Sequence, residues 1–194
     1  MTKARNSTLW IEEGYNLFAH EGPEGIHIEK IARNLQLNKS AFYHYFGDLD
    51  GFCMELIQMH HNKADLFLRE ISDLHNIDPE YLLLLVKHTP TVMFQVQSTR
   101  NQKNYLFYDA SRSVDRKVNI AVGRLWREYL DTDISIELTD RYYNIIRDKF
   151  YTRVTFQNLN YQFLHELASE AKGILNRLKE HKSHPKQGTI FTRR

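Results

Sequence analysis

Ile28-Glu29-Lys30-Ile31-Ala32-Arg33-Asn34-Leu35-Gln36-Leu37-Asn38-Lys39-Ser40-Ala41-Phe42-Tyr43-His44-Tyr45-Phe46 is the stretch that decides the fold. Ile28, Ile31, Ala32 and Leu35 fall on one helical face, and Phe42 and Phe46 open a second apolar stripe four residues beyond a tight turn. Asn38 suits the start of that second helix, because its side-chain oxygen can accept from a first-turn backbone N–H. Ala32 is small where two helices would cross, Leu37 can plug the turn into the core, and Phe42 faces the same core. The outward side of the second helix then shows Lys39, Ser40, Tyr43 and His44. A cation, a hydroxyl, a phenol and an imidazole all suit phosphates or base edges. A helix presented by its N-terminal end fits the major groove of B-DNA.

Outward from this stretch the chain stays helical. Upstream, Leu9, Ile11, Tyr15, Leu17, Phe18 and Ala19 recur at spacings of three and four until Gly22-Pro23 ends the helix. Downstream, Asp48 caps a long helix running to about Leu74, which would span on the order of 35–40 Å. The segment from Pro79 to about Thr99 is apolar nearly all round, as a buried helix is, and Pro90 should break it near its middle. Amphipathic segments follow at Tyr105–Asp109, Val114–Leu130, Leu138–Phe156 and Leu159–Leu178. No stretch alternates at period two, so the expectation is an all-α chain of about nine helices. Residues 1–47 would form a three-helix head with a helix-turn-helix, and residues 48–194 a larger helical domain ending in a basic tail from about His181.

Composition narrows the function. At 194 residues, 42% of them hydrophobic, the chain can build a substantial core, and four prolines and eight glycines argue against a turn-rich β fold. No apolar run approaches a membrane span and no signal-peptide pattern opens the chain, so a cytoplasmic protein without membrane contact is expected. The single cysteine, Cys53, cannot form an intrachain disulfide and reads as a small core residue. His60 and His61 are adjacent and point to different sides of a helix, and His165-Glu166 lacks the second histidine of a zincin, so no metal site is expected. Neither a glycine-rich phosphate loop nor a nucleophile elbow is present, which gives no support to a cofactor or an enzymatic role. Lys3, Arg5, Lys30, Arg33 and Lys39 of the head are balanced by Glu12, Glu13, Glu21, Glu24 and Glu29. Nucleic-acid binding would therefore rest on a few placed contacts rather than a diffuse basic surface.

Leu37-Asn38-Lys39-Ser40-Ala41-Phe42-Tyr43-His44-Tyr45-Phe46 resembles the recognition-helix segment of TetR-type repressors. Ile31-Ala32 is similar to the middle of that family's second helix, and Leu17-Phe18-Ala19 with Gly22 to the end of its first; the likeness covers about residues 8–56. It implies that Tyr43 contacts a phosphate while Lys39, Ser40, Ala41 and His44 face the groove, with His27 where the family often has a small hydroxyl residue. Two departures stand out. Gln36 replaces the usual turn glycine, at a cost of roughly 1 kcal/mol if the backbone there is left-handed. Gly47-Asp48-Leu49-Asp50 lacks the lysine that often follows the Tyr-His-Tyr-Phe ending, which implies weaker non-specific binding than is usual.

For the larger domain the resemblance implies an effector pocket among helices and a dimer made by the last two. Aromatic side chains are dense between residues 90 and 155, and Phe94, Tyr105, Tyr108, Trp126 and Tyr142 are the candidates for walling an apolar cavity with a few polar groups. Tyr142, Ile146 and Phe150, then Phe163, Leu167, Ala171 and Leu175, stack at i, i+4 and would form a four-helix interface between two subunits. Within one chain the same stripes would simply pack on the rest of the domain. The function implied is a repressor that binds a palindromic operator in double-stranded DNA as a homodimer and is released by a small apolar or aromatic effector. A dimeric DNA-binding protein that takes no effector is the main rival, and an all-α enzyme the rival from another class.

Overall fold

The computed structural model describes residues 3–183, with side chains from Asn6 to Lys179. Nine α-helices are present among them: α1 Lys3–Glu21, α2 Ile28–Leu35, α3 Lys39–Phe46, α4 Leu49–Ser72, α5 Leu82–Lys87, α6 Thr89–Arg100, α7 Tyr105–Leu130, α8 Ile136–Arg153 and α9 Tyr161–Ser183. The remainder of the basic tail, beyond Ser183, lies outside the described residues.

The punctuation of the head follows local chemistry. Gly22, at φ 75°, ends α1 and donates its N–H to the Phe18 carbonyl at 2.8 Å. Asn38 Oδ1 accepts from the Ser40 N–H at 2.9 Å, and Asp48 Oδ1 from the Gly51 N–H at 2.8 Å, so both expected caps are made. Gln36 is left-handed, at φ 55° and ψ 38°. The glycine usual at this turn would relieve that strain, and its absence leaves a non-glycine residue where the Cβ is unfavourable. Gly47, at φ 76° with open space where a Cβ would point, joins α3 to α4.

The buried face of α1 shares Tyr15, Phe18 and Ala19 with the expected stripe and departs from it at Trp10 and Gly14. Trp10, Gly14, Tyr15, Phe18 and Ala19 are buried, whereas Leu9, Ile11 and Leu17 are only half-buried. Gly14 explains the difference: a Cβ there would lie 2.4 Å from Cζ of Phe52, a fully buried ring held against Phe42 and Phe46. Only a bare backbone lets α1 approach α4 so closely, and this turns Trp10 inward onto Phe42, with ring centroids 5.3 Å apart.

Beyond Trp10 the same helix runs into the body. Tyr15 and Phe18 stack on Phe94 of α6 at 4.4 and 4.1 Å, and Phe18 also meets Phe107 of α7 at 4.3 Å. The hydrophobic core is therefore continuous from Trp10 to Ala171, and the boundary at residue 47 marks a turn in the chain rather than a gap in the packing. The apolar segment after Pro79 is two helices broken at His88, with Pro90 in the first turn of α6, where its missing N–H costs nothing. The segments expected at Tyr105–Asp109 and Val114–Leu130 are one 26-residue helix, α7, which packs on α4, α6 and α8 and organises the body.

Candidate functional site: an exposed helix and an inner cavity

The outer surface of α3 is built by contrast with its inner one. Phe42 is fully buried among Trp10, Phe46 and Phe52, which fixes the rotation of the helix, while Lys39, Ser40, Tyr43 and His44 are exposed. Ala41 is half-buried at the edge of this face, and His27 is exposed just before α2, its side chain making no capping bond. Ser40 is not idle: its Oγ donates to Asn38 Oδ1 at 2.9 Å. Lys39 is ion-paired with Glu29 of α2, which holds the carboxyl below and the ammonium above their ordinary ranges. Lys30 is likewise paired with Glu21, whereas Arg33 is exposed and makes no ion pair among the described residues. The near-zero charge of the head thus has a local form around α2 and α3, in which Lys30 and Lys39 are masked by carboxylates of the head.

A cavity of about 110 Å³ lies in the body, between α4, α6, α7, α8, α9 and the segment from Ile77 to Leu85. Its walls are largely apolar and include Phe67, Val92, Val114, Phe150, Leu164 and Leu167. Trp126 of the expected set lines it. The other four do not: Phe94 is sealed in the junction with α1, Tyr105 is 76% exposed, Tyr108 borders a separate outer cleft, and the Tyr142 hydroxyl is spent on the Ala171 carbonyl at 2.8 Å. Aromatic density alone could not separate these roles, because stacking at a junction and lining a cavity use the same residue types.

The polar groups on the wall were not anticipated, and they form a chain. Tyr15 of α1 donates to His60 Nδ1 at 3.0 Å, and His60 Nε2–H to Gln95 Oε1 at 2.8 Å. Gln95 Nε2 donates to Asp115 Oδ1 and to the Ser111 carbonyl, both at 2.8 Å. Tyr151 closes the chain by donating to Asp115 Oδ1 at 2.6 Å. Arg147 stands beside it, 3.9 Å from Asp115 Oδ2, with Nη1 donating to Asn119 at 2.9 Å. One set of bonds thus joins the first helix of the head to the cavity. A signal existed in the sequence: Gln95 sits within Val92-Met93-Phe94-Gln95-Val96, where a lone amide needs buried partners.

The two stripes expected to make a dimer are partly covered within the single chain. Phe150, Leu167 and Ala171 are buried within the single chain, Phe150 and Leu167 on the cavity wall, while Tyr142, Ile146, Phe163 and Leu175 are half-buried against the core. The apolar side chains that α8 and α9 leave in solvent are Ile136, Leu138, Ile145 and Leu178. Periodicity finds an apolar stripe but does not say whether it meets its own core or a second copy.

Residues 11–52 match the family model described as bacterial regulatory proteins, tetR family. The head is of the TetR type. Comparison with curated proteins finds no match. Among solved structures, the fold is shared with a protein described as a TetR-family transcriptional regulator from Mesorhizobium loti MAFF303099. The TM-score is 0.58 at 13% identity, over 93% of this chain and 98% of that one. It is also shared with a transcriptional regulator (TerR/AcrR family) from Aquifex aeolicus VF5, at TM-score 0.57 and 16% identity over 89% and 98% of the two chains. At these identities the likeness speaks for the architecture, a TetR-type helix-turn-helix head on a helical body, and not for a ligand. Among the described residues no helix is long and apolar enough to cross a membrane.

The chain of bonds has a pH signature. Burial lowers the pKa of His60 from 6.5 to about 4, against the opposing effect of its bond to Gln95. An unfolded chain takes up this proton below 6.5 and the folded one does not until about 4, so stability falls as pH drops through that window. The loss attributable to His60 should reach up to about 3 kcal/mol. Thermal midpoints of wild type and His60→Gln, followed across the window, should diverge, the wild type falling more steeply. Parallel curves would mean that the imidazole is not held neutral and buried.

Proposed function

We propose that this chain is a sequence-specific DNA-binding transcription regulator, a repressor that grips a palindromic operator as a homodimer and releases it when a small apolar or aromatic effector enters the body. The observation that carries the reading is α3, a helix locked by Phe42 on one side and offering Lys39, Tyr43 and His44 on the other, in a head that matches the tetR family over residues 11–52. Two such helices, one from each subunit, would enter successive major grooves about 34 Å apart. Lys39 can reach DNA only by exchanging Glu29 for a phosphate or a base edge, so part of each contact is spent displacing an internal partner. That supports a binder of modest non-specific affinity whose grip depends on the right sequence.

Release needs an effector with different affinities for the two conformations, since tight binding alone shifts nothing. The cavity and the head both pack against α4, and the chain of bonds from Asp115 to Tyr15 also joins them. A molecule that repositions Gln95 or His60 would disturb the seat of α1, and with it the presentation of α3. By reciprocity, operator DNA should weaken effector binding by the same factor by which the effector weakens operator binding.

Selection of bound sequences from random DNA by the purified protein tests the reading, and a two-fold-symmetric motif is the expected result. On that motif, Tyr43→Ala should weaken binding with little change in its salt dependence, and Lys39→Ala should weaken it and flatten the salt dependence by about one unit of slope. Wild-type affinity and slope in both variants would remove α3 from the interface.

A subunit interface on α8 and α9 would use the apolar side chains that remain exposed. Ile145→Arg should leave the fold intact and yield a monomer with much reduced operator affinity. Leu167→Arg places an unpaired charge on the cavity wall and should instead lower the thermal midpoint sharply. A stable Leu167→Arg monomer together with an intact Ile145→Arg dimer, as measured by light scattering, would reverse these assignments.

A further inference from the structure

A cleft of about 590 Å³ opens on the outside of the body, lined by the end of α6, by α7 from Tyr108 to Asn119 and by the last turns of α8. It is separate from the inner cavity but backs onto it, since Asp115, Arg147 and Tyr151 line both. The guanidinium groups of Arg100, Arg112, Arg116 and Arg147 border the cleft, against the carboxylates of Asp115 and Asp148. Both carboxylates are engaged by Arg147, Asp148 at 3.1 Å and Asp115 Oδ2 at 3.9 Å. The other three cations have no counter-charge. Arg100 is anchored by the Tyr151 and Val154 carbonyls, both at 2.7 Å, which fix its guanidinium without neutralising it. Arg112 lies over the Tyr108 ring, 6.0 Å from its centre, and neither Arg112 nor Arg116 makes an ion pair among the described residues.

On α7 the lack of pairing is confined to the cleft. The remaining cations of that helix are all matched, Lys117 with Asp65, Arg124 with Glu128 and Arg127 with Asp140. Arg112 and Arg116 stand one helical turn apart, where like charges repel and cost helix stability. An occupant that brings negative charge is therefore favoured twice, by attraction and by relief of that repulsion. Guanidinium is the cation whose planar fork fits the oxygens of a carboxylate or a phosphate. Charge chooses between the two. Four cations meet two carboxylates around the cleft, and the surplus matches a phosphate monoester, which carries about −1.5 to −2 near neutral pH, better than a single carboxylate. The volume falls within the roughly 300–1,000 Å³ of small-molecule sites. We infer that the outer cleft binds a small phosphorylated molecule, a monoester or a diphosphate, through Arg112 and Arg116, with Arg100 as a fixed third cation. This site does not depend on the effector reading of the inner cavity.

Calorimetry on the full chain, free of divalent metal and at constant ionic strength, tests the assignment with pyrophosphate, glycerol 2-phosphate and glycerate. The two phosphates should each bind at one site per chain, about tenfold or more tighter than glycerate, the carboxylate control. Arg112→Gln/Arg116→Gln exchanges two exposed helix residues for another good helix former and so keeps the fold. It should weaken both phosphates by about tenfold or more, the loss of charge-assisted hydrogen bonds. Arg124→Gln, which removes a paired cation farther along the same helix, should leave them unchanged. Absence of phosphate binding, glycerate as tight as the phosphates, or binding that survives the double variant would each overturn the inference and leave the reading of the inner cavity standing. A random-sequence duplex separates a small-molecule site from a second DNA contact. Its affinity and salt dependence should be the same in the double variant as in wild type, and a slope flattened by about one to two units would overturn the inference in favour of the DNA backbone.

Discussion

The stacking of Tyr15 and Phe18 on Phe94 is the contact on which the rest of the molecule depends. It puts the first helix of the head into the core of the body, so that the surface offered by α3 is referenced to α6 and not to a free-standing domain. Two features make the contact possible. Gly14 lets α1 lie close against α4, which sets the rotation of α1, and His60 fills the space beside Phe94 as a neutral ring stacked at 4.5 Å. The hydrogen bond from Tyr15 to His60 then holds the α1 ring in register at the point where head and body meet. Losing a buried ring such as Phe94 typically costs about 3–5 kcal/mol, so this junction can outweigh the surface ion pairs of the head taken together.

The head and the cavity place opposite demands on charge, and both are met by internal pairing. Around α3, Glu29 and Glu21 occupy Lys39 and Lys30, so these two cations carry their own counter-charges. Around the cavity, Asp115 gathers Gln95, Tyr151 and Arg147, which gives a half-buried carboxylate its partners. Burial pushes the Tyr151 and Tyr143 phenols well above and above their usual range respectively, with Asp115 adding to the effect in both, so both hydroxyls keep their protons.

Much of this was legible in the sequence where local chemistry decides. The turn at Gln36-Leu37-Asn38, the caps at Asn38 and Asp48, the stop at Gly22 and the break before Pro90 all depend on residues within a few positions of the feature they make. The TetR-like segment fixed the inner and outer sides of α3 because Phe42 and Tyr43 differ so plainly in character. Three features were not legible, each for a physical reason. Gly14 carries no hydropathy signal, so the close approach of α1 to α4 that turns Trp10 inward could not be read from the sequence. Tyr142, Ile146 and Leu167 show a stripe whose partner periodicity cannot name. His60, Gln95 and Asp115 belong to different helices, and only the packing of α4, α6 and α7 brings them into one chain.

Native-state hydrogen exchange tests most directly whether head and body form one core. Amides of α1 near Tyr15 and Phe18 and amides of α6 near Phe94 should exchange through the same opening, with equal free energies and equal dependence on denaturant. A sub-global opening that releases α1 while α6 stays protected would contradict the account, since the head would then be an independent domain and the bonds from Tyr15 to Asp115 could not carry the state of the cavity to α3.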